Sequence, residues 1–146
     1  MQIYEAAAIV AATILGLDAA IHVYWLSGRT WPARDRRTLS QVVLNADVPF
    51  TRRVLIPLVL ILAGAATTIL VRANGGGAVA WLPTWIPLVG TIAVAAGAFL
   101  RACAGVVWAL GIGSRKGTMF HTLNIVAYTP ICVILCGAAT LVAFRP

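Results

Sequence analysis

Four long apolar runs dominate the chain and restrict it to a membrane-spanning helical fold. They cover residues 6–26, 54–71, 86–112 and 118–144. A helix needs about 20 mostly apolar residues to cross the hydrocarbon core of a bilayer. A composition that is 61% hydrophobic and 10% charged also lies outside the usual range of soluble domains. The sequence therefore predicts an all-α fold, an integral membrane four-helix bundle that forms one transmembrane domain over residues 1–146.

Basic residues mark two of the three connections between these runs. Six arginines lie between residues 27 and 53, and Arg115 and Lys116 lie in the turn between the third and fourth runs. The opposite side holds only Arg72 and Arg145. Because cytoplasmic loops carry an excess of Lys and Arg, we expect a multi-pass protein of the bacterial inner membrane with cytoplasmic basic loops and both termini outside. The net charge of +7 then indicates contact with anionic lipid headgroups rather than with nucleic acid.

The first basic connection contains a short amphipathic segment. Its apolar residues recur at Leu39, Val42, Val43 and Ala46, with Thr38 or Arg37 near the start. This spacing predicts a short interfacial helix on the cytoplasmic side. Two interpretations stay open: the helix caps the cytoplasmic mouth of the bundle, or it is a linker that lies on the headgroups.

The stretch from Asp18 to Trp25 places an acid and a histidine in an otherwise apolar run. At about 100° per residue, Asp18, His22 and Trp25 fall within roughly 60° of one helix face. A charged side chain near the bilayer centre costs roughly 3 kcal/mol, so such residues usually face the bundle interior, find partners and mark function. We therefore expect partners for Asp18 from other helices.

Polar residues of the third and fourth runs lie at a similar depth. At about 1.5 Å per residue from the cytoplasmic ends, Asp18 lies about 12 Å deep, and Arg101 and Tyr128 lie about 15 Å deep. Nearer the cytoplasm come His22, Trp25, Trp108, His121 and Asn124. This grouping predicts a polar cavity open to the cytoplasm. The alternative is a structural ion pair between Asp18 and Arg101, hydrogen-bonded to Tyr128.

Three short motifs carry a family resemblance: H-V-Y-W from His22, R-T-W-P from Arg29 and Y-T-P-I-C from Tyr128. The chain resembles small bacterial four-span membrane proteins of unknown function, which show similar motifs at the end of the first helix and in the fourth. This resemblance implies four helices and no particular activity. In size and layout alone, the chain is also similar to the integral-membrane terpene cyclases of bacteria.

The residues favour an enzyme that uses acid–base chemistry on a lipophilic, prenyl- or terpenoid-like substrate, by protonation-initiated cyclisation or isomerisation. The expected catalytic residues are Asp18 as proton donor or base, His22, Arg101 and Tyr128. The expected substrate contacts are Tyr24, Trp25, Trp108, His121 and Asn124. We expect no cofactor and no metal, because the sequence has no Asp-rich motif for magnesium.

Two other functions stay open. A small transporter or channel subunit would use Asp18, His22, Arg101 and His121 as a relay, and four helices without repeats would need to form a homo-oligomer to enclose a pore. A haem or quinone protein would use His22 and His121, which lie on different helices, as axial ligands. The three cysteines form no C-x-x-C pair and are expected to be structural thiols.

Overall fold

Helices form most of the described part of the protein. The computed structural model describes residues 2–75, 79 and 81–145. In chain order the elements are α1 (Ile3–Leu26), α2 (Arg36–Leu44), α3 (Arg52–Ala73), α4 (Trp85–Ala109), α5 (Met119–Leu123), a π-helical turn (Asn124–Tyr128) and α6 (Thr129–Ala143). Four helices, the last being the continuous Met119–Ala143, are long and apolar enough to cross a membrane. The predicted all-α four-helix membrane bundle is therefore confirmed.

The four long helices pack in a ring. Helix α1 packs against α3 and α6, and α4 packs against the same two helices, so α1 and α4 occupy opposite corners. The main core lies in the half of the bundle that contains the start of α1 and the ends of α3 and α6, which we name the terminal end. Small residues dominate its α1 side, where Ala7, Ala8 and Ala11 are buried. Such residues let helix backbones approach closely in a membrane.

The opposite end, where α1 and α4 finish and where α3 and α5 begin, is named the basic end. Helix α2 packs there, and its Leu39 joins Trp25, Phe50 and Leu55 in a second apolar cluster. The predicted short helix in the first basic connection is thus present, and α2 also contacts α5.

The carboxyl end of α2 differs from the prediction. At its start, Arg37 and Thr38 lie in the first turn as predicted, and Asp35 caps the helix because its carboxylate accepts the Thr38 N–H at 2.9 Å. Ala46, expected on its apolar face, lies past the helix end and is exposed. Asn45 takes a left-handed conformation after Leu44. Its amide nitrogen donates to the Gly113 carbonyl at 2.7 Å, which joins the two basic connections.

The fourth span contains a π-helical turn at Asn124–Tyr128. The N–H of Thr129 donates to the Asn124 carbonyl, five residues earlier. The next residue, Pro130, has no N–H to donate and so removes one bond of the regular helical ladder. Where the sequence predicts a kink beside Tyr128, the structure therefore has a wider helical turn, a feature that often occurs at functional sites.

Candidate functional site

Asp18 and His22 form an acid–histidine pair on α1. The His22 side chain is buried, and its Nδ1 lies 2.8 Å from the Asp18 backbone carbonyl oxygen and 3.3 Å from the carboxylate Oδ1. The Asp18 side chain is 49% exposed. Trp25 packs edge-on against the His22 ring at a centroid distance of 4.8 Å. Because Nδ1 is engaged by Asp18, Nε2 is the ring nitrogen left for proton exchange.

Arg101 on α4 is held by two aromatic rings and an amide. Its guanidinium carbon lies 4.9 Å from the Trp108 ring centroid and 5.9 Å from the Tyr128 ring centroid. Its Nη1 donates to Asn124 Oδ1 at 3.4 Å. In the described part of the chain, no carboxylate lies within 4.0 Å of this guanidinium. The group keeps an unneutralised positive charge that cation–π contacts stabilise.

Asn124 joins α4 to the π-helical turn. It is fully buried, and its Nδ2 donates to the Gly105 carbonyl at 2.7 Å. Its Oδ1 accepts from Arg101 and from the Thr129 hydroxyl at 3.3 Å. With both ends of the amide occupied, Asn124 positions Arg101 and has little capacity left for the substrate contact predicted from the sequence.

Thr129 is a site residue that the sequence reasoning missed. In a regular α-helix, Thr129 and Asn124 would face directions about 140° apart. The π-helical turn brings them together, so the Thr129 hydroxyl reaches Asn124. The available signal was Pro130, which predicts a departure from regular α-helical geometry at this point.

Three of the predicted site residues make contacts at the basic end: His121, Trp108 and Tyr128. Ser114 Oγ donates to the Trp108 carbonyl at 2.6 Å and lies 3.3 Å from His121 Nδ1. The Tyr128 hydroxyl donates to the Val42 carbonyl of α2 at 3.5 Å. The loop between α4 and α5 thus holds His121, and α2 lies over Tyr128.

Tyr24 contacts a different set of residues. The Arg29 guanidinium carbon lies 5.6 Å from its ring centroid. The ring also packs against the apolar cluster of Trp25, Leu39, Phe50 and Leu55. These contacts hold Tyr24 near the carboxyl end of α1, and none of them connects Tyr24 to Arg101.

The alternative ion pair between Asp18 and Arg101 is not formed. Within the described residues, the contacts of 4.0 Å or less between a carboxylate and a basic side chain are Asp18 with His22 and Arg37 with Asp47. The physical reason is the helix order, since α1 and α4 occupy opposite corners of the bundle. Helix α6 nevertheless packs against both α1 and α4.

An open apolar groove of about 500 Å³ lies beside the Arg101 cluster. It runs between residues 106–110, at and just past the end of α4, and residues 125–134 of the π-helical turn and α6. Thr129 lines this groove, and its hydroxyl donates to Asn124 inside the bundle. The volume is within the range of small-molecule sites. Thr129 therefore connects an apolar surface suited to a hydrocarbon chain with the polar network around Arg101.

These features define a small multi-span helical membrane protein with separated acidic and cationic groups. Residues 15–139 match the family described as Protein of unknown function (DUF3995), so the chain belongs to that family. No curated protein and no solved structure matches the chain. The resemblance to a family of unknown function is thus confirmed, whereas the short motifs and the likeness to terpene cyclases stay predictions.

Proposed function

We propose that the protein is a membrane-embedded enzyme that moves protons on a lipophilic, prenyl- or terpenoid-like substrate. The observation that carries this proposal is the coexistence of two unlike groups around α6. One is the acid–histidine pair of Asp18 and His22, and the other is Arg101 without a carboxylate partner among the described residues. A proton-transfer pair and a separate cation that binds an oxygen are parts that acid–base catalysis requires.

Asp18 is the proton donor in this proposal. Its carboxyl group is half exposed, so a substrate can approach it, while the buried His22 touches it from one turn away. The proton leaves Asp18 for an alkene carbon of the substrate, and His22 Nε2 takes a proton from another carbon. Transfer of the Nδ1 proton of His22 to the Asp18 carboxylate, 3.3 Å away, then returns both groups to their neutral forms. Proton addition at one carbon and proton removal at another give an isomerised or cyclised product of the same elemental formula.

Arg101 binds the oxygen end of the substrate. Its guanidinium has five N–H donors, of which one reaches Asn124. Since Arg101 covers the Trp108 ring, this indole is less available than the sequence indicates for contact with a substrate cation. The apolar groove lined by Thr129 supports a hydrocarbon chain that enters sideways from the lipid, with its oxygen end towards Arg101.

A relay across the membrane receives less support. In the terminal half, the hydroxyls of Thr67 and Thr68 donate to carbonyls of their own helix, at 2.9 and 2.8 Å. Glu5 accepts the backbone N–H of Gln2 at 2.8 Å. These groups are satisfied locally, and a transport path needs polar groups that are free to exchange partners through both halves of the bundle.

The test uses the purified protein in lipid nanodiscs, incubated in D₂O with a panel of prenyl alcohols. The expected product has a new chromatographic retention time and carries one deuterium on carbon. Replacing Asp18 by Asn should lower the rate by about 100-fold or more, because a positioned acid contributes about 10² to 10⁴ in rate. Replacing Arg101 by Gln should instead raise KM more than it lowers kcat.

The matched control is Asp47→Asn, which makes the same chemical change at an exposed carboxylate that pairs with Arg37 at 3.1 Å. This variant should keep the full rate. Deuterated product formed equally by wild type and by Asp18→Asn would refute the assignment of Asp18. Circular dichroism and size-exclusion profiles identical to those of wild type show that the lost rate does not come from unfolding.

A further inference from the structure

Two arginines at the terminal end join α3 to α6, the two helices that lie diagonally across the ring. Arg72, near the end of α3, donates from Nη2 to the Ala143 carbonyl at the end of α6, at 2.9 Å. Arg145, just past α6, donates from Nη1 to the Ala73 carbonyl at the end of α3, at 2.8 Å. Each arginine therefore caps the carboxyl end of the other helix, where a positive charge is favourable.

Capping uses only part of the hydrogen-bonding capacity of these two arginines. Each cap uses one N–H of a guanidinium that has five. The Nε atoms of Arg72 and Arg145 are buried and have no hydrogen-bond partner. The charge of Arg145 also acts on Arg72, so the two cations repel one another. Unused donors on two adjacent like charges favour a bound anion.

The described residues of the chain do not supply that anion. None of their carboxylates lies within 4.0 Å of Arg72 or Arg145. At the terminal end, the Glu5 carboxylate accepts the Gln2 N–H at 2.8 Å. Both arginines line one depression of about 40 Å³ together with Thr84. Since a water needs roughly 10 to 15 Å³ of such space, there is room for a few waters or one small anionic group.

The surroundings place this depression at the level of lipid headgroups. Trp81 and Trp85, which flank Thr84 in sequence, are 81% and 62% exposed. Tryptophan is enriched at membrane–water interfaces. The depression is also lined by the apolar Leu82 and Pro87, which suit the glycerol and upper acyl carbons of a lipid better than a hydrated free ion.

We propose that Arg72 and Arg145 bind the phosphate group of an anionic phospholipid at the terminal end of the bundle. Guanidinium groups bind phosphate oxygens through paired, charge-assisted hydrogen bonds. The lipid phosphate neutralises two like charges and accepts N–H groups that the helix caps leave free. This site lies at the opposite end of the bundle from α2 and does not depend on the proposed enzymatic function.

The experiment measures equilibrium binding of radiolabelled dioctanoyl phosphatidylglycerol to the full-length protein in a neutral maltoside detergent. Wild type should show one saturable site. Arg72→Gln/Arg145→Gln should weaken binding at that site about tenfold or more, as expected for lost hydrogen bonds to a charged group. Arg52→Gln/Arg53→Gln removes the same two charges at the basic end and should leave the saturable site unchanged.

A second variant keeps both helix caps. Thr84→Glu places a carboxylate on the lining of the depression, next to the two guanidiniums. Thr84 makes no side-chain capping bond at the start of α4, and an acidic residue is favourable there, so the variant should fold. It should weaken phosphatidylglycerol binding as strongly as the double substitution. If the double variant is unfolded, the effect of Thr84→Glu alone decides whether the depression binds the lipid.

Competition with inorganic phosphate distinguishes the two sources of a phosphate group. We expect dioctanoyl phosphatidylglycerol to stay bound at phosphate concentrations equal to its own. Displacement by equal phosphate would mean that the site takes a free ion, and the assignment to lipid would be overturned. Unchanged lipid binding in folded Thr84→Glu would overturn the site itself.

Discussion

Replacing Gly105 by Ala tests the close contact on which the Arg101 cluster depends. A Cβ at this position would overlap Thr129 Oγ1 and lie 3.1 Å and 3.2 Å from the Cβ and Cγ2 of the same residue. Overpacking of this kind costs about 1 to 3 kcal/mol. Displacing the hydroxyl also breaks its bond to Asn124, worth about 0.6 kcal/mol in a membrane. The gain of a helical Gly-to-Ala change, about 0.5 to 1 kcal/mol, offsets part of this loss.

The matched control is Gly97→Ala, two turns earlier on α4, where an added Cβ meets nothing within 4 Å. This control should be more stable than wild type by the same helical gain, so the two variants should differ by the overpacking and hydrogen-bond losses alone, about 2.6 kcal/mol, or roughly 70-fold in unfolding equilibrium. Reversible unfolding in mixed detergent micelles measures the difference. Adding Thr129→Ala to Gly105→Ala removes the Oγ1 and Cγ2 contacts and should recover most of the overpacking loss. Equal stability of the two Gly-to-Ala variants would show that Gly105 and Thr129 are not in close contact.

Two further predictions concern single hydrogen-bonded side chains. Asn124→Ala should lower the free energy of unfolding by about 1 to 3 kcal/mol in the same micelle assay, because three hydrogen bonds of a fully buried amide are lost. The control is Thr122→Ala, at an exposed position of the same span. Equal losses of stability in the two variants would contradict the prediction. The N–H and hydroxyl of Thr38 lower the pKa of Asp35, so its carboxylate stabilises α2 above its ordinary pKa and this contribution is lost as the pH falls through the lowered value. Amide exchange in α2 should therefore be faster in Asp35→Ala than in wild type at neutral pH, and the two proteins should converge in acid; a ratio that does not change with pH would refute the role of the carboxylate.

The positions of the spans could be predicted because hydrophobic length is a property of the sequence itself. The predicted run over residues 6–26 corresponds to Ile3–Leu26, and the run over residues 54–71 to Arg52–Ala73. The third span ends three residues earlier than predicted, at Ala109 rather than at residue 112. Gly111 and Gly113 take positive φ angles of 88° and 72° there. Hydropathy counts Ile112 as membrane sequence, whereas the glycine backbone ends the helix before it.

Relations within one helix could be predicted, and relations between helices could not. Asp18 and His22 share a face by the helical period, and the structure places them in contact. Arg101 and Trp108 share a face for the same reason, and their side chains are in contact as well. The pairing of Asp18 with Arg101 required the order of helices around the bundle. Depth and periodicity do not give this order, so equal depth was not sufficient to predict a contact between residues of different helices.

Separation of Asp18 from Arg101 has a physical consequence for function. An ion pair would have satisfied both charges together and left neither free to bind a ligand. Each charge is instead stabilised locally, Asp18 by His22 and Arg101 by two aromatic rings and the amide of Asn124. These weaker contacts make the charges tolerable inside an apolar bundle without neutralising them. The same contacts explain why the sequence carries more aromatic and amide groups near Arg101 than one buried ion pair needs.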